Sequence, residues 1–324
     1  MIYIKTLFII PIQCIIIFIG CSSEIENTET TSPVRESVVL KKKAKEGKYV
    51  FKDGSVYEGQ LAVGKPNGFG RHELVNGDIF EGQYKSGLAH GHGTISYKSD
   101  ARLVRYIGSW RSGKRDGFGS LMLEDGSELV GDWKNDSMHV GDFKSPKGVV
   151  MSGKWEGEYL SEGTMRLDDG RVYSGTFKNN GMFALGTLRT VGGEHYCGHF
   201  ENNEFSGQGI LSLINGSIYT GSFQKGEFFG YGILKESDGS VYSGEFVKGL
   251  PSGDGIQRDN SGVVYSGSWV QGERDGFGTL DFGDGSSYTG EFKNGYAVKG
   301  LYDLGNGEIT DSYQNENGEW LDRK

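Results

Sequence analysis

Residues 265–285 read YSGSWVQGERDGFGTLDFGDG, and this stretch decides the fold. Tyr265, Gly267 and Trp269 alternate, glycines follow at 272, 276 and 278, then come Leu280 and Phe282, and Asp284-Gly285 precedes Tyr288, where the pattern starts again. Side chains alternate along a strand, so Tyr265, Gly267 and Trp269 share one face, and the glycine leaves room between two rings for a neighbouring side chain. Ser266 and Ser268 face the other way. A helix is excluded, since each glycine costs about 1 kcal/mol relative to alanine in a helix interior and every copy carries several. Turns need glycine for positive φ, and Asp53-Gly54, Asn76-Gly77, Asp169-Gly170, Asn215-Gly216 and Asp238-Gly239 are hairpin-turn pairs. Each copy predicts two short strands joined by glycine-rich turns.

Outward from this stretch the pattern begins eleven times, at Tyr57, Phe80, Tyr106, Leu129, Met151, Tyr173, Tyr196, Tyr219, Tyr242, Tyr265 and Tyr288, mostly 23 residues apart. A period that short cannot bury a core alone, so the copies must stack on their neighbours. The repeat-defining residues are Tyr57 and Gly59, Phe80 and Gly82, Tyr106 and Gly108, Tyr173 and Gly175, Tyr196 and Gly198, Tyr219 and Gly221, Tyr242 and Gly244, Tyr265 and Gly267, and Tyr288 and Gly290. Stretches such as Phe80-Glu81-Gly82-Gln83-Tyr84 and Tyr288-Thr289-Gly290-Glu291-Phe292-Lys293-Asn294-Gly295 resemble MORN repeats. The resemblance covers about four fifths of the chain and implies an all-β fold: an elongated, single-layer antiparallel array in which each copy adds one hairpin.

The array is expected over residues 47–310. It opens with a half-repeat, Gly47 to Gly54, and fades after Tyr288, where Lys299 stands in place of an expected glycine; residues 311–324 form a degenerate closing segment, the hairpin itself reading from Leu301 to Trp320. Polar ends of this kind block edge-to-edge aggregation. Inside the array, three extra residues near Lys98 to Leu103 and a thinning of aromatics from Leu129 to Met151 read either as a longer loop with decayed copies or as a bend or docking surface.

Residues 1–21 have the layout of a secretory signal: a charged start, an apolar run from Leu7 to Ile19, and a small residue before Cys21. Phe18-Ile19-Gly20-Cys21 resembles a bacterial lipobox, which implies lipidation of Cys21 and membrane attachment at the cell envelope. An uncleaved signal anchor and a fortuitous apolar start are the alternatives. Residues 22–46, rich in Ser, Thr, Glu and Lys, read as a flexible tether.

Lys plus Arg number 34 against 43 Asp plus Glu, a net charge of −9, and no basic stripe with interleaved aromatics emerges, which argues against a nucleic-acid partner. Of Cys14, Cys21 and Cys197, only Cys197 would remain as a free thiol once the signal is removed and Cys21 lipidated, so the array must be stable without a disulfide. His195, Cys197 and His199 carry zinc-ligand chemistry, but at alternate positions they span about 13 Å along a strand, and at most two adjacent ones could share an ion. His90 and His92 flank a turn glycine. We expect no metal site, no cofactor and no catalysis, since no nucleophile elbow or phosphate loop is present and little chain lies outside the repeats for an enzyme domain. Two functions remain. One is a lipid-anchored scaffold that binds proteins or another copy of itself. The other is a glycan-binding module whose rings, such as Tyr219, Phe223, Tyr242, Phe246, Tyr265 and Trp269, stack on sugar. Exposure of that row separates them.

Overall fold

A computed structural model describes residues 45–315 and 317–322. The signal segment, Cys21 and the tether up to residue 44 lie outside the described residues. The described chain is all-β, and its strands pair antiparallel with their chain neighbours. It divides into two compact units at Met165 and Arg166. Each is an open meander in which every copy contributes two strands. β1 spans Lys45–Val50, β2 Val56–Ala62 and β3 Lys65–Glu73. β1 starts two residues earlier than the array boundary read from the sequence.

Side-chain placement follows from the alternation. In the Tyr219 copy, Tyr219, Gly221 and Phe223 point to one face, and Tyr219 is fully buried. Its ring lies edge-on to Phe223 of its own copy and Phe246 of the next, both at 5.1 Å between centroids. The same link joins Tyr196 to Phe223, Tyr242 to Trp269 and Tyr265 to Phe292 in this unit. In the other unit it joins Tyr57 to Tyr84, Phe80 to Trp110 and Tyr106 to Trp133. Such edge-to-face pairs contribute about 0.5–1.5 kcal/mol beyond the area they bury, so each copy is held chiefly by the next.

The glycines serve a different purpose from the one expected. Gly221 faces Gly232 across the hairpin, Gly232 faces Gly244 of the next copy, and the row continues through Gly255, Gly267, Gly278 and Gly290 to Gly300. An equivalent row runs from Gly47 through Gly59 and Gly70 to Gly153 in the first unit. The slot above Gly232 holds the Tyr219 ring of the same copy, and a Cβ there would sit 2.5 Å from the Tyr219 hydroxyl oxygen and 2.6 Å from its Cε2. The room is taken by the copy's own tyrosine rather than by a neighbouring side chain between two rings. That position explains tyrosine over phenylalanine, because each hydroxyl donates to a backbone carbonyl three residues on: Tyr219 to Ser222 at 2.9 Å, Tyr242 to Glu245 at 3.0 Å, Tyr265 to Ser268 at 3.0 Å. Burial pushes the Tyr219 and Tyr242 hydroxyls up to about 12, which keeps them protonated as donors.

A third core position is not legible in the sequence. Nine residues after the leading residue, a side chain covers the ring from above in several copies: Phe205 stacks on Tyr196 at 3.8 Å and Phe228 on Tyr219 at 3.7 Å. Arg274 lies over Tyr265 at 4.9 Å, and Arg115 over Tyr106 at 5.6 Å and over Trp133 of the next copy at 4.5 Å. Burial lowers the Arg274 guanidinium below its ordinary value, and its Nη2 donates to Gln257 at 3.0 Å.

The irregular copies have local explanations. In the Leu129 and Tyr288 copies the second glycine comes one residue sooner, at Gly141 and Gly300, and the hairpin loses one bulge residue. Lys299 is therefore no decayed glycine; it pairs with Glu291 while Gly300 keeps the row. Ser312 takes the next place in that row and donates to Asp322 at 2.9 Å, where the last two strands, Ile309–Gln314 and Trp320–Asp322, close the unit. The insertion near Lys98 is anchored by Asp78, 4% exposed, which accepts from the Lys98 and Ser99 backbones at 2.7 and 2.9 Å and from the Ser99 hydroxyl at 2.8 Å. Burial works against the Asp78 charge, but these donors outweigh it and hold the carboxyl below its ordinary value.

At one strand bulge alanine stands where other copies have glycine. Ala184 has φ 52° where Gly207, Gly230 and Gly253 occupy the same repeat position at φ 56°, 63° and 66°. Ala184→Gly is expected to stabilise the fold by about 1 kcal/mol, the usual penalty of a left-handed non-glycine residue. Chemical denaturation checks this, and a lower midpoint would show that the alanine methyl packs usefully.

Candidate interaction face

The residues between the buried ones form the opposite face. In most first strands they are polar, as expected, as at Thr220 and Ser222, Ser243 and Glu245, Ser266 and Ser268, whereas Ile107 and Val130 are apolar. The second strands change this face. Phe69, Phe118, Tyr231 and Phe277 recur twelve residues after the leading residue of their copies and are 58%, 62%, 64% and 64% exposed. Two positions further on, exposed Ile233 and Ile256 alternate across the strands with Thr220, Ser243 and Ser266. The outer face thus carries two rows of side chains flanking the glycine backbone, one of them set with single exposed rings.

In the first unit this face also carries charge. Lys48 pairs with Glu58 at 3.3 Å, and Arg71 reaches Glu73 at 3.3 Å and Glu81 at 3.7 Å. Exposed pairs of this kind contribute little to stability. A shallow depression of about 490 Å³ lies between Phe69, Arg71, Glu81, His92, Thr94 and Ile107.

Every repeat-defining tyrosine and Phe80 lies in the buried row on the inner face, with its glycine beside it in the glycine row. Tyr219, Phe223, Tyr242, Phe246, Tyr265 and Trp269 are at most 5% exposed, so these rings are not open to sugar stacking. His195, Cys197 and His199 are on the outer side of their strand, with Cys197 in register with Thr187 and Ile210. Among the described residues no group of three or more His, Cys, Asp or Glu is placed to hold a metal ion.

A histidine that the repeat pattern does not single out sits at the inner edge of the first unit. His72 Nδ1 is 2.8 Å from the Tyr84 hydroxyl and Nε2 2.8 Å from Ser55 Oγ, and its ring stacks on Phe51 at 4.4 Å. Other copies place leucine or isoleucine there, as at Ile95, Leu121 and Leu188. Burial lowers the proton affinity of His72, and likewise that of His195. The turn aspartates Asp53, Asp238 and Asp284 are also held below their ordinary value, by hydrogen bonds from the serine two residues on. In all of these the folded chain binds its proton less readily than the unfolded one. Stability is then fully present above the unfolded value and falls as pH drops through it. The melting temperature is expected to decline below pH 6.5 as the histidines charge and again below 3.8 as the aspartates protonate. A melting temperature that rises on acidification would contradict this.

An open antiparallel array of tyrosine–glycine hairpins, with one face buried and one displayed, defines a repeat scaffold. The MORN-repeat family model matches residues 57–79, 80–102, 106–128, 196–218, 219–241, 242–264, 265–287 and 288–309, more than half of the chain, and the chain belongs to that family. The three copies between residues 129 and 195 escape the match yet each supplies two strands. No curated protein matches the chain. Among solved structures, the TCP domain of Drosophila melanogaster SAS-4, bound to a proline-rich motif, is similar at 15% identity over 59% of this chain and 96% of that one, with a TM-score of 0.21.

Proposed function

We propose that this chain is a non-enzymatic MORN-repeat scaffold whose outer face binds a protein partner, held at a bacterial envelope by lipid on Cys21. The observation that carries the binding role is the recurrence of exposed rings at one repeat position on a face the core does not use, at Phe69, Phe118, Tyr231 and Phe277. Repetition of a weak contact along one surface suits multivalent binding. The anchor rests on the lipobox resemblance around Cys21. Several acyl chains on one cysteine would hold stably, where a single chain binds only marginally.

A photo-crosslinking residue in place of Tyr231 or Phe277, expressed in the native cell, tests the face. We expect a discrete crosslinked protein product from these sites and none from the buried Tyr265 site. Equal yields at all three sites, or none at any, would overturn the reading. Crosslinking to polysaccharide alone would instead favour the glycan alternative, with these exposed rings stacking on sugar. Intact mass of the purified protein tests the anchor: a mature chain beginning at Cys21 with acyl mass is expected, and an unmodified full-length chain would remove the lipoprotein assignment.

A further inference from the structure

β1 pairs with β2 along one side only, in the register Gly47 to Gly59, Lys48 to Glu58 and Tyr49 to Tyr57. Among the described residues nothing pairs with its other side. At the far end of the chain the edge is short, three residues of Trp320–Asp322, whereas β1 presents six. An open edge of this length is a template for another strand unless something discourages it.

The backbone orientation at this edge is fixed by one bond. Phe51 N–H donates to the Ser55 carbonyl at 2.9 Å, so Phe51 is bonded toward β2. Alternation along an antiparallel strand then turns Tyr49 and Gly47 toward β2 and leaves the N–H and C=O groups of Glu46, Lys48 and Val50 facing outward. Inside each copy the facing glycines, such as Gly267 and Gly278, occupy a non-hydrogen-bonded pair of the same parity. Gly47 is ready for that arrangement on its free side.

We infer that β1 is a homodimer edge, pairing antiparallel with β1 of a second copy about a two-fold axis at Gly47. This goes beyond the scaffold reading and stands whether or not the outer face binds a partner. The sequence Lys45-Glu46-Gly47-Lys48-Tyr49 is what selects a second copy as the occupant. With Gly47 opposite Gly47, Glu46 falls opposite Lys48 of the other copy, and the symmetry makes the same pair again. Each Glu46–Lys48 pair exchanges both backbone N–H···O bonds, since these are the outward residues. It also sets opposite charges directly across the strands on one face, a favourable pairing in sheets. A strand without this charge order would meet lysine or glutamate unpaired. Lysine at an edge ordinarily discourages pairing; here the only register that continues the glycine row neutralises it. The contact is isologous, as a two-fold dimer requires. Moving the two-fold axis one residue on, to Lys48, would set Gly47 opposite Tyr49 and lysine against lysine.

Charge exchange on the full chain tests this, read as molar mass by sedimentation equilibrium in density-matched detergent. Wild type is expected to be a reversible dimer that weakens with salt. Glu46→Lys sets lysine against lysine in both symmetric pairs, and Lys48→Glu sets glutamate against glutamate in both; each is expected to raise the dissociation constant about tenfold or more. Among the described residues Glu46 has no ion-pair partner, so Glu46→Lys is the cleaner variant, whereas Lys48→Glu also loses the Glu58 pair. In a heterodimer of the two variants each cross-strand pair is one lysine against one glutamate, so mixing them is expected to restore affinity. The double variant Glu46→Lys with Lys48→Glu restores opposite charges in both pairs, and a dimer near wild-type affinity is expected of it. A monomeric wild type would overturn the inference, whether the edge stays open or residues 1–44 cover it. So would a dimer indifferent to either single substitution, which places the contact elsewhere, or a double variant that remains monomeric.

Discussion

Gly232→Ala is expected to destabilise the protein by about 3–5 kcal/mol, more than any substitution on the outer face. Gly232 has ordinary negative φ, so the penalty is steric and not conformational. A Cβ at Gly232 would lie 2.5 Å from the Tyr219 hydroxyl and 2.6 Å from two ring carbons, and the ring is packed between Phe223, Phe228 and Phe246. Either the ring leaves or the strands part. Overpacking of this kind costs about 1–3 kcal/mol by itself. Losing the Tyr219–Ser222 hydrogen bond adds about 1 kcal/mol, and the displaced ring forfeits its stacking. Gly239→Ala is the control: its φ is 94° but a Cβ there meets nothing within 4 Å, so only the backbone penalty of about 1–2 kcal/mol applies. Denaturant unfolding of the two variants distinguishes them. Equal losses would mean that the tyrosine slot is not what the glycine row is for.

The second large effect belongs to the ring itself. Tyr219→Ala is expected to cost about 3–5 kcal/mol, as for other fully buried aromatic side chains. Tyr219→Phe removes only the hydroxyl and leaves the Ser222 carbonyl short of a donor, for about 1–2 kcal/mol. Because Tyr219 touches Phe246 of the next copy, a double-mutant cycle between them is expected to show a coupling of at least about 0.5 kcal/mol. Strict additivity would mean that the copies are not held together by these rings.

Much of this is legible in the sequence because the constraint repeats at a fixed residue type. Tyrosine at the first position and glycine two places on are required in nearly every copy, since a ring and an empty slot must coincide, and the period emerges from those alone. The cap nine residues on escapes because covering a ring makes no demand on chemistry. Phe205 and Phe228 do it by stacking and Arg115 and Arg274 by cation–π attraction, while buried Pro66 and Leu160 stand at the same place in their copies. The outer rings escape for another reason. Phe277 lies between Gly276 and Gly278, in a stretch that reads as turn, and only the register against Glu291 shows that it is strand and faces outward. A shortened hairpin reads as decay at Lys299 because the loss of one bulge residue shifts the glycine by one place. Of the outer face, the polar half is visible in the sequence and the aromatic half is hidden.

Each copy is a self-similar unit held by its neighbours, with stability in the inner rows. Removing residues 242–264, one full period, joins Val241 to Tyr265 in the place of Val264 and leaves every remaining ring with a neighbour of the same kind. Equilibrium denaturant unfolding of the shortened chain is the most direct test. A folded β protein with a cooperative transition and a denaturant slope reduced in proportion to the lost surface is predicted. Loss of the β-sheet signal, or aggregation of the shortened chain where the full one is soluble, would contradict it.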